Sequence, residues 1–172
     1  MKKIQILLIS LFILSGCSVV SVSTDYDPKI NIPSYKTYAI INYAHGDSLI
    51  NNRVNDALSN ELALKGYTLV DDSKADFLVL YIYTAKDKSR TTTEYVGGMR
   101  GYYGRYGGYY ATSTYNYTEG NFEIRMADPK TQETFWRATG INTLKSFNTP
   151  QERTNYTNEV VHEMLKKYPL TK

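Results

Sequence analysis

The sequence predicts an α+β fold, a two-layer sandwich in which two helices cover one face of a four-stranded mixed sheet. Two stretches have apolar residues at helical spacing, and four others are rich in β-branched and aromatic residues. Their order along the chain is β-α-β-β-β-α, which is typical of a sheet with helices on one side. The 172 residues suit one such domain.

The first half of this order contains a parallel pair of strands. Residues 35–43 form the first predicted strand, and residues 77–83 form a central strand that is apolar on both faces. Between them a helix begins at Asp47 or Ser48 and ends at Lys65-Gly66. Its apolar face consists of Ile50, Val54, Ala57, Leu58 and Leu62. A helical crossover of this kind joins parallel strands.

The second half predicts two hairpin strands and a final helix. The third strand covers residues 115–126, with Gly120 as a β-bulge, and the fourth covers residues 134–141. Thr149 caps a last helix that has Pro150 at its first position and an apolar stripe along one side. With both helices on one sheet face, the other face should be partly open and rich in tyrosine, of which the chain has 17.

The first sixteen residues have the plan of a signal peptide. Lys2 and Lys3 precede an apolar stretch at residues 4–14, and two small residues, Ser15 and Gly16, follow it. The apolar stretch is shorter than the roughly 20 residues that a spanning helix needs. We therefore expect residues 1–16 to be removed.

The run Leu14-Ser15-Gly16-Cys17 resembles the lipobox of bacterial lipoproteins. Cys17 is the only cysteine in the chain, so no intramolecular disulfide can form. A thiol at this position can carry a diacylglyceryl group as a thioether, and lipid chains hold a protein at a membrane. We expect Cys17 to be lipidated, residues 17–33 to form the lipidated N-terminus and tether, and residues 34–172 to form the single domain. Because Ser18 rather than aspartate follows Cys17, we expect anchoring in the outer membrane, facing the periplasm.

The feature that stands out in the mature chain is a glycine- and tyrosine-rich segment, which we interpret as a loop at residues 86–111. Tyrosine and arginine often anchor interfaces, and glycine lets a loop adapt to a partner. The candidate partner-binding residues are Arg100, Tyr102, Tyr103, Arg105, Tyr106, Tyr109 and Tyr110. The alternatives are a lid over the open sheet face and a low-complexity insert.

Motifs of catalysis, metal binding and nucleotide binding are absent from the sequence. His45 and His162 lie far apart along the chain, and the carboxylates of Asp25 and Asp27 lack a third ligand nearby. We expect no cofactor and no enzymatic activity. Without Lys2 and Lys3 the chain has 18 basic and 17 acidic residues, a balance that gives no reason to expect nucleic acid as a partner.

An ordered set of short motifs identifies a family. They are Asp25-Tyr26-Asp27, Tyr35-Lys36-Thr37-Tyr38-Ala39, Lys65-Gly66-Tyr67, Ala75-Asp76-Phe77-Leu78-Val79, Tyr117-Thr118-Glu119-Gly120, Asp128-Pro129-Lys130-Thr131 and Phe135-Trp136-Arg137. Together with the lipobox, this set resembles the lipoprotein family of domain of unknown function 4136. The resemblance implies an anchored α+β domain in the cell envelope, and it carries over no functional residue apart from Cys17.

The sequence therefore favours a membrane-anchored envelope lipoprotein that acts as a non-enzymatic binding or scaffolding module. Its partners would be the membrane, through the lipid on Cys17, and another envelope protein or a glycan. One alternative is a module that binds peptidoglycan or another glycan with the tyrosine-rich loop, because aromatic rings stack on sugars. Another is an unrecognised hydrolase, whose carboxylates or histidine would meet only in the folded chain.

Overall fold

A computed structural model describes residues 20–41, 47–97 and 109–171. They form strands β1 (Ser21–Tyr26), β2 (Thr37–Ile41), β3 (Thr68–Leu69), β4 (Phe77–Val96), β5 (Tyr109–Ala127) and β6 (Thr134–Thr143), and helices α1 (Ser48–Leu64) and α2 (Pro150–Leu165). Short 3-10 helices occur at Ile32–Ser34 and Asp72–Lys74. The α+β class is confirmed.

The sheet has six strands, so the expectation of four was wrong. Their order across the sheet is β1-β6-β5-β4-β2-β3. The pairs β2–β4 and β2–β3 are parallel, as the helical crossover predicts for the first of them, and the remaining pairs are antiparallel. The two additional strands, β1 and β3, form the two edges.

Strand β1 lies within the segment that we expected to be a tether. All six of its residues pair with β6, from Ser21 opposite Ile141 to Tyr26 opposite Trp136. Val20, immediately before it, and Ile32, after it, are buried in the core. The folded domain therefore begins at least as early as Val20, and a tether over the whole of residues 17–33 is wrong.

Both helices pack on the same face of the sheet, as predicted. Their buried residues, among them Leu58 and Leu62 of α1 and Val161 and Met164 of α2, belong to one core cluster with the sheet. Aromatic rings form the centre of this core: Phe77 has the rings of Tyr35, Tyr38, Tyr67, Phe135 and Tyr168 at centroid distances of 5.4 to 6.1 Å. Phe135 and Trp136 are buried in the same cluster.

The opposite sheet face is open, and its tyrosines, Tyr109, Tyr115 and Tyr117, lie beyond the core, where β4 and β5 pair only with each other. Leu80 and Ile82 of β4 point to this face, and Ile82 is 46% exposed. The core tyrosines of the sheet, Tyr38 and Tyr81, are instead buried beneath the helices. Tyrosine combines apolar area with a polar tip, so it is compatible with either side of a thin sheet, and the composition alone could not assign the face.

Gly120 is a regular strand residue, contrary to the predicted bulge. It pairs with Ala85 on β4 and with Asn142 on β6 without a shift in register. The irregularity of β5 lies between Met126 and Ala127. A Cβ atom at position 120 would lie 2.5 Å from Cδ2 of Leu144, so a larger residue there requires that side chain to move.

Asp76 fixes the start of the central strands. Its carboxylate accepts hydrogen bonds from the backbone N–H groups of Lys36, at 2.8 Å, and Thr37, at 2.9 Å. These bonds hold the pKa of Asp76 below its usual range, although partial burial opposes the shift.

Neither helix in the described part of the chain is both long and apolar enough to cross a bilayer.

Candidate functional site

Strands β4 and β5 extend far past the rest of the sheet as a two-stranded ribbon. We call residues 86–96 and 109–119 the β4–β5 arm. Its pairing is continuous, from Lys86 opposite Glu119 to Val96 opposite Tyr109. Only Leu80 and the residues before it in β4 pair with β2, so both outer edges of the arm are unpaired over most of its length among the described residues. At about 3.3 Å per residue, the arm is roughly 35 Å long.

The arm replaces most of the loop that we predicted at residues 86–111. Residues 86–96 and 109–111 are strand, and all but Ala111 are exposed. They continue the line of the sheet away from the core, so this part of the segment does not fold over the open sheet face as a lid. Residues 98–108 lie outside the described residues.

Side chains on opposite strands hold the arm together. Thr91 and Thr114 share a hydrogen bond of 3.2 Å, and Thr93 and Thr112 share one of 3.3 Å. Nearer the core, the hydroxyl of Thr118 donates to the carboxylate of Asp87 at 2.7 Å. Such cross-strand pairs contribute roughly 0.2–1 kcal/mol each. They specify the register of a ribbon that has no core of its own.

Two pairs of tyrosine rings lie along the arm. Tyr95 and Tyr110 meet edge to face near its far end, with centroids 5.3 Å apart. Tyr115 and Tyr117 are nearly parallel, at 15° and 6.2 Å. Tyr95, Tyr110 and Tyr115 are 62%, 74% and 67% exposed. Large aromatic area is therefore held in fixed geometry outside the core.

Three cations occupy alternate positions near the base of the arm: Lys86, Lys88 and Arg90. Because side chains alternate along a strand, all three leave the same side of β4. Tyr117 and Tyr115 stand directly opposite Lys88 and Arg90. Lys88 donates a hydrogen bond to Glu119, which raises the pKa of the lysine. In the described parts of the chain, Lys86 and Arg90 form no ion pair.

The structure describes two of the seven predicted partner-binding residues. Tyr109 and Tyr110 begin β5 and are 65% and 74% exposed at the far end of the arm. Five others, Arg100, Tyr102, Tyr103, Arg105 and Tyr106, lie outside the described residues, as do Cys17 and His45. The sequence interpretation missed the Lys86-Lys88-Arg90 row. Its signal was the alternation of three cations in a stretch rich in threonine, which favours strands.

Other polar groups in the described chain form pairs between neighbouring elements of the fold. Nδ1 of His162 lies 3.0 Å from Glu61, and the pair joins the exposed sides of α2 and α1. Asp25 pairs with Arg137 across β1 and β6. Within residues 20–41, 47–97 and 109–171, no group of three or more histidine, cysteine or acidic residues could hold a metal ion.

Among the depressions on the surface of the described residues, two have residues of the sheet in their walls. One, of about 320 Å³, lies on the open sheet face between Leu80, Ile82 and Arg125. The other, of about 500 Å³, lies at the end of the sheet away from the arm, beside Asp27 and Asp128. Two backbone N–H groups of the following turn donate to Asp128, and they lower the pKa of its carboxyl. This carboxylate therefore stabilises the turn.

Several solved structures have the same fold. A PDZ domain protein from Parabacteroides distasonis aligns over 89% of the chain with 18% identity and a TM-score of 0.61, but the chain spans only 36% of that protein. PelC from Paraburkholderia phytofirmans, crystallised as a dodecamer, aligns over 89% of the chain and 99% of its own length, with 12% identity and a TM-score of 0.51. No curated protein matches the sequence.

Two further comparisons concern the family of the chain. A protein of the DUF4136 family from Bacteroides thetaiotaomicron aligns over 90% of the chain and 99% of its own length, with 16% identity and a TM-score of 0.55. The family model for DUF4136, a domain of unknown function, matches residues 22–170, a span from β1 to the residues after α2. The chain therefore belongs to the DUF4136 family.

Proposed function

We propose that this protein is a lipid-anchored component of the cell envelope, a non-enzymatic binding module that uses the β4–β5 arm as its binding element. The observation that supports this function is the arm itself. It exposes Tyr95, Tyr109 and Tyr110 at a distance from a core that is complete without them.

An exposed two-stranded ribbon is only marginally stable in water. Its open edges are also a hazard, because unpaired strand edges can pair with other chains. Rigid aromatic side chains supply contact area at low entropic cost. A partner that covers the arm would stabilise the ribbon, would cover its open edges and would contact the tyrosines of the arm.

The anchor is the lipid on Cys17, in the outer membrane facing the periplasm. Mass spectrometry of the N-terminal peptide tests it directly, because a diacylglyceryl thioether should be present on Cys17. Cys17→Ser should move the protein from the membrane fraction to the soluble fraction. If the protein fractionates with membranes equally well after this change, the lipid anchor is refuted.

The binding role of the arm is tested by shortening it. Asp87 pairs with Thr118, so residues 88–117 can be replaced by Asn-Gly, which forms a two-residue hairpin turn. After crosslinking in living cells, this variant should lose the envelope component that the full chain captures. The same capture by the shortened protein would overturn the proposal.

A double substitution provides a finer test with a matched control. Tyr95→Ala with Tyr110→Ala removes one ring pair from the arm and should reduce capture at least tenfold. Tyr26→Ala removes a tyrosine that is 61% exposed at the opposite end of the sheet, and it should have no effect. Circular dichroism of each variant shows whether the fold is retained.

A second candidate function is glycan binding, which is favoured by the parallel rings of Tyr115 and Tyr117. Aromatic faces stack on sugar rings, and Arg90 beside them can pair with a carboxylate or phosphate. The wild-type protein should then sediment with purified peptidoglycan. Tyr115→Ala should abolish sedimentation, whereas Tyr115→Phe, which keeps the ring, should not. Failure of the wild-type protein to sediment removes this candidate.

A further inference from the structure

The arm projects from the same end of the sheet at which the folded domain begins. Ser21 pairs with Ile141, Ile141 pairs with Asn121, and Asn121 pairs with Thr84, so these residues share one level across the sheet. From that level β4 runs forward into the arm. Strand β1 runs the opposite way, so its first residue lies at the end from which the arm projects.

The chain between this level and the proposed lipid is short. Four residues lead back from Ser21 to Cys17, and a fully extended chain spans at most about 3.6 Å per residue. The lipid on Cys17 is therefore within about 14 Å of Ser21. Twelve residues lead from Thr84 to Val96, which is about 40 Å of strand. The arm thus reaches well past the anchoring point.

A long arm beside a short connection limits how the domain can sit on a bilayer. If the arm followed the membrane normal, its outer 25 Å or so would enter the hydrocarbon region, which is about 30 Å thick. Hydrocarbon cannot satisfy the unpaired N–H and C=O groups along the two open edges of β4 and β5. The arm therefore does not follow the normal into the bilayer, and an arm that lies along the headgroup layer keeps these groups in contact with water and polar headgroups.

The side chains of the arm suit that layer. Tyr95 and Tyr110 leave one side of its far end, while Val96 and Tyr109 leave the other, and all four are at least 40% exposed. Tyrosine is enriched at membrane–water interfaces because its ring is apolar and its hydroxyl is polar. Lys86 and Arg90 have long apolar stems and charged ends, which allow them to reach headgroup phosphates.

We infer that the β4–β5 arm is a second membrane contact: it binds the headgroup layer of the leaflet that holds the lipid on Cys17, through Tyr109 and Tyr115 and, on the same side of the arm, through Lys86 and Arg90 on anionic phospholipids. This inference rests on the lipid anchor of the proposed function and names the partner of the arm. It makes the protein a two-point attachment, with the helical layer oriented by the arm.

The experiment uses the full lipidated protein in vesicles, with one cysteine introduced as a fluorophore site. Ser113→Cys places the label in the middle of the arm, and Ser73→Cys places it at the opposite end of the sheet, in the turn before β4. Both serines are exposed, and the substitution is the same at each. If Cys17 is a thioether, the introduced residue is the only thiol in the protein.

Quenching by phospholipids with a nitroxide on the headgroup then reports contact with the membrane. In phosphatidylethanolamine vesicles with phosphatidylglycerol, the Ser113 label should be quenched at least threefold more than the Ser73 label. Lys86→Gln with Arg90→Gln should reduce that difference to the level seen in vesicles of phosphatidylcholine alone. Equal quenching at the two sites would overturn the inference.

The anchor and the arm contact fail in distinguishable ways. If the protein without an introduced cysteine takes up the label, Cys17 is a free thiol and the proposed anchor fails. If Cys17 is modified but the Ser113 label is quenched no more than the Ser73 label, the membrane contact fails while the anchor stands. Protection of the Ser113 label in cells but not in vesicles would likewise overturn the membrane contact and favour a protein or glycan partner.

Discussion

Gly120 and Leu144 approach each other so closely at the base of the arm that a larger residue at position 120 would have to displace the Leu144 side chain. A Cβ atom there would lie 2.5 Å from Cδ2 of Leu144 and 2.8 Å from Oδ1 of Asn142. Leu144 is 43% exposed and can move aside, but the amide of Asn142 is held by its hydrogen bond to the hydroxyl of Tyr156. The contact therefore couples β5, β6 and α2 where the arm leaves the core.

Gly120→Ala should accordingly destabilise the domain. We expect a loss of about 1–3 kcal/mol in the free energy of unfolding, the usual cost of forcing extra volume into a packed site. Urea denaturation measures it. Gly97→Ala is the matched control, because a Cβ atom there meets nothing closer than 3.9 Å. Equal stability of the two variants would show that Leu144 and Asn142 yield without cost.

Phe77→Ala should destabilise the domain more than Gly120→Ala does. Phe77 is fully buried, and five aromatic rings surround it within 6.1 Å. Truncating a buried phenylalanine typically costs about 3–5 kcal/mol, because the cavity that it leaves is only partly refilled. A shift of the urea midpoint measures the loss. Phe147→Ala, at a half-buried position with a ring contact to Tyr156, should cost much less.

The predictable part of the fold is the part with a clear apolar period. Helix α1 begins at Ser48, with Asp47 as the N-cap, and ends just before Lys65, as the cap residues and the spacing of Val54, Leu58 and Leu62 predict. Strand β4 begins at Phe77, where the apolar run begins. In these segments burial of one face determines the structure, and the sequence records that burial directly.

The missed strands lack such a period. Strand β1 reads Ser-Val-Ser-Thr-Asp-Tyr, and only Val22 and Thr24 are even partly buried, as befits an edge strand. The arm is exposed on both faces, so threonine, lysine and tyrosine alternate without any apolar signal. Its strands are specified by cross-strand partners that lie more than 18 residues away in sequence. A local pattern cannot reveal pairing of that kind, and the cationic row was missed with it.

Thr149→Ala should weaken the start of α2. The hydroxyl of Thr149 accepts a hydrogen bond from the backbone N–H of Glu152, whose carboxylate accepts one from the N–H of Thr149 in return. Loss of an N-cap of this type costs about 1 kcal/mol. Thr157→Ala, inside the same helix, should be neutral or slightly stabilising, because alanine is the better helix former. Thermal unfolding distinguishes the two, and equal melting temperatures would contradict the cap.

Asp76→Asn should reduce stability in a way that depends on pH. The carboxylate accepts hydrogen bonds from the backbone N–H groups at the start of β2. Replacing its charge should lower the free energy of unfolding by about 1 kcal/mol at pH 7. The value is modest because the residue is exposed. The pKa of Asp76 is lower in the folded protein than its ordinary value of 3.8. The contribution of the carboxylate is therefore complete above pH 3.8 and is lost as the pH falls through the lower, folded pKa.

The measurement is the free energy of unfolding from pH 7 to pH 2.5 for the wild type and for Asp76→Asn. The difference should be constant between pH 7 and pH 5 and should shrink at the acidic end. Asp128 also has a lowered pKa, but it is present in both proteins, so its contribution cancels in the difference. Asp56→Asn, at an exposed position of α1, is the control and should leave the free energy of unfolding unchanged over the same pH range. A constant difference down to pH 2.5 would mean that the ionised carboxylate does not supply the stabilisation of β2.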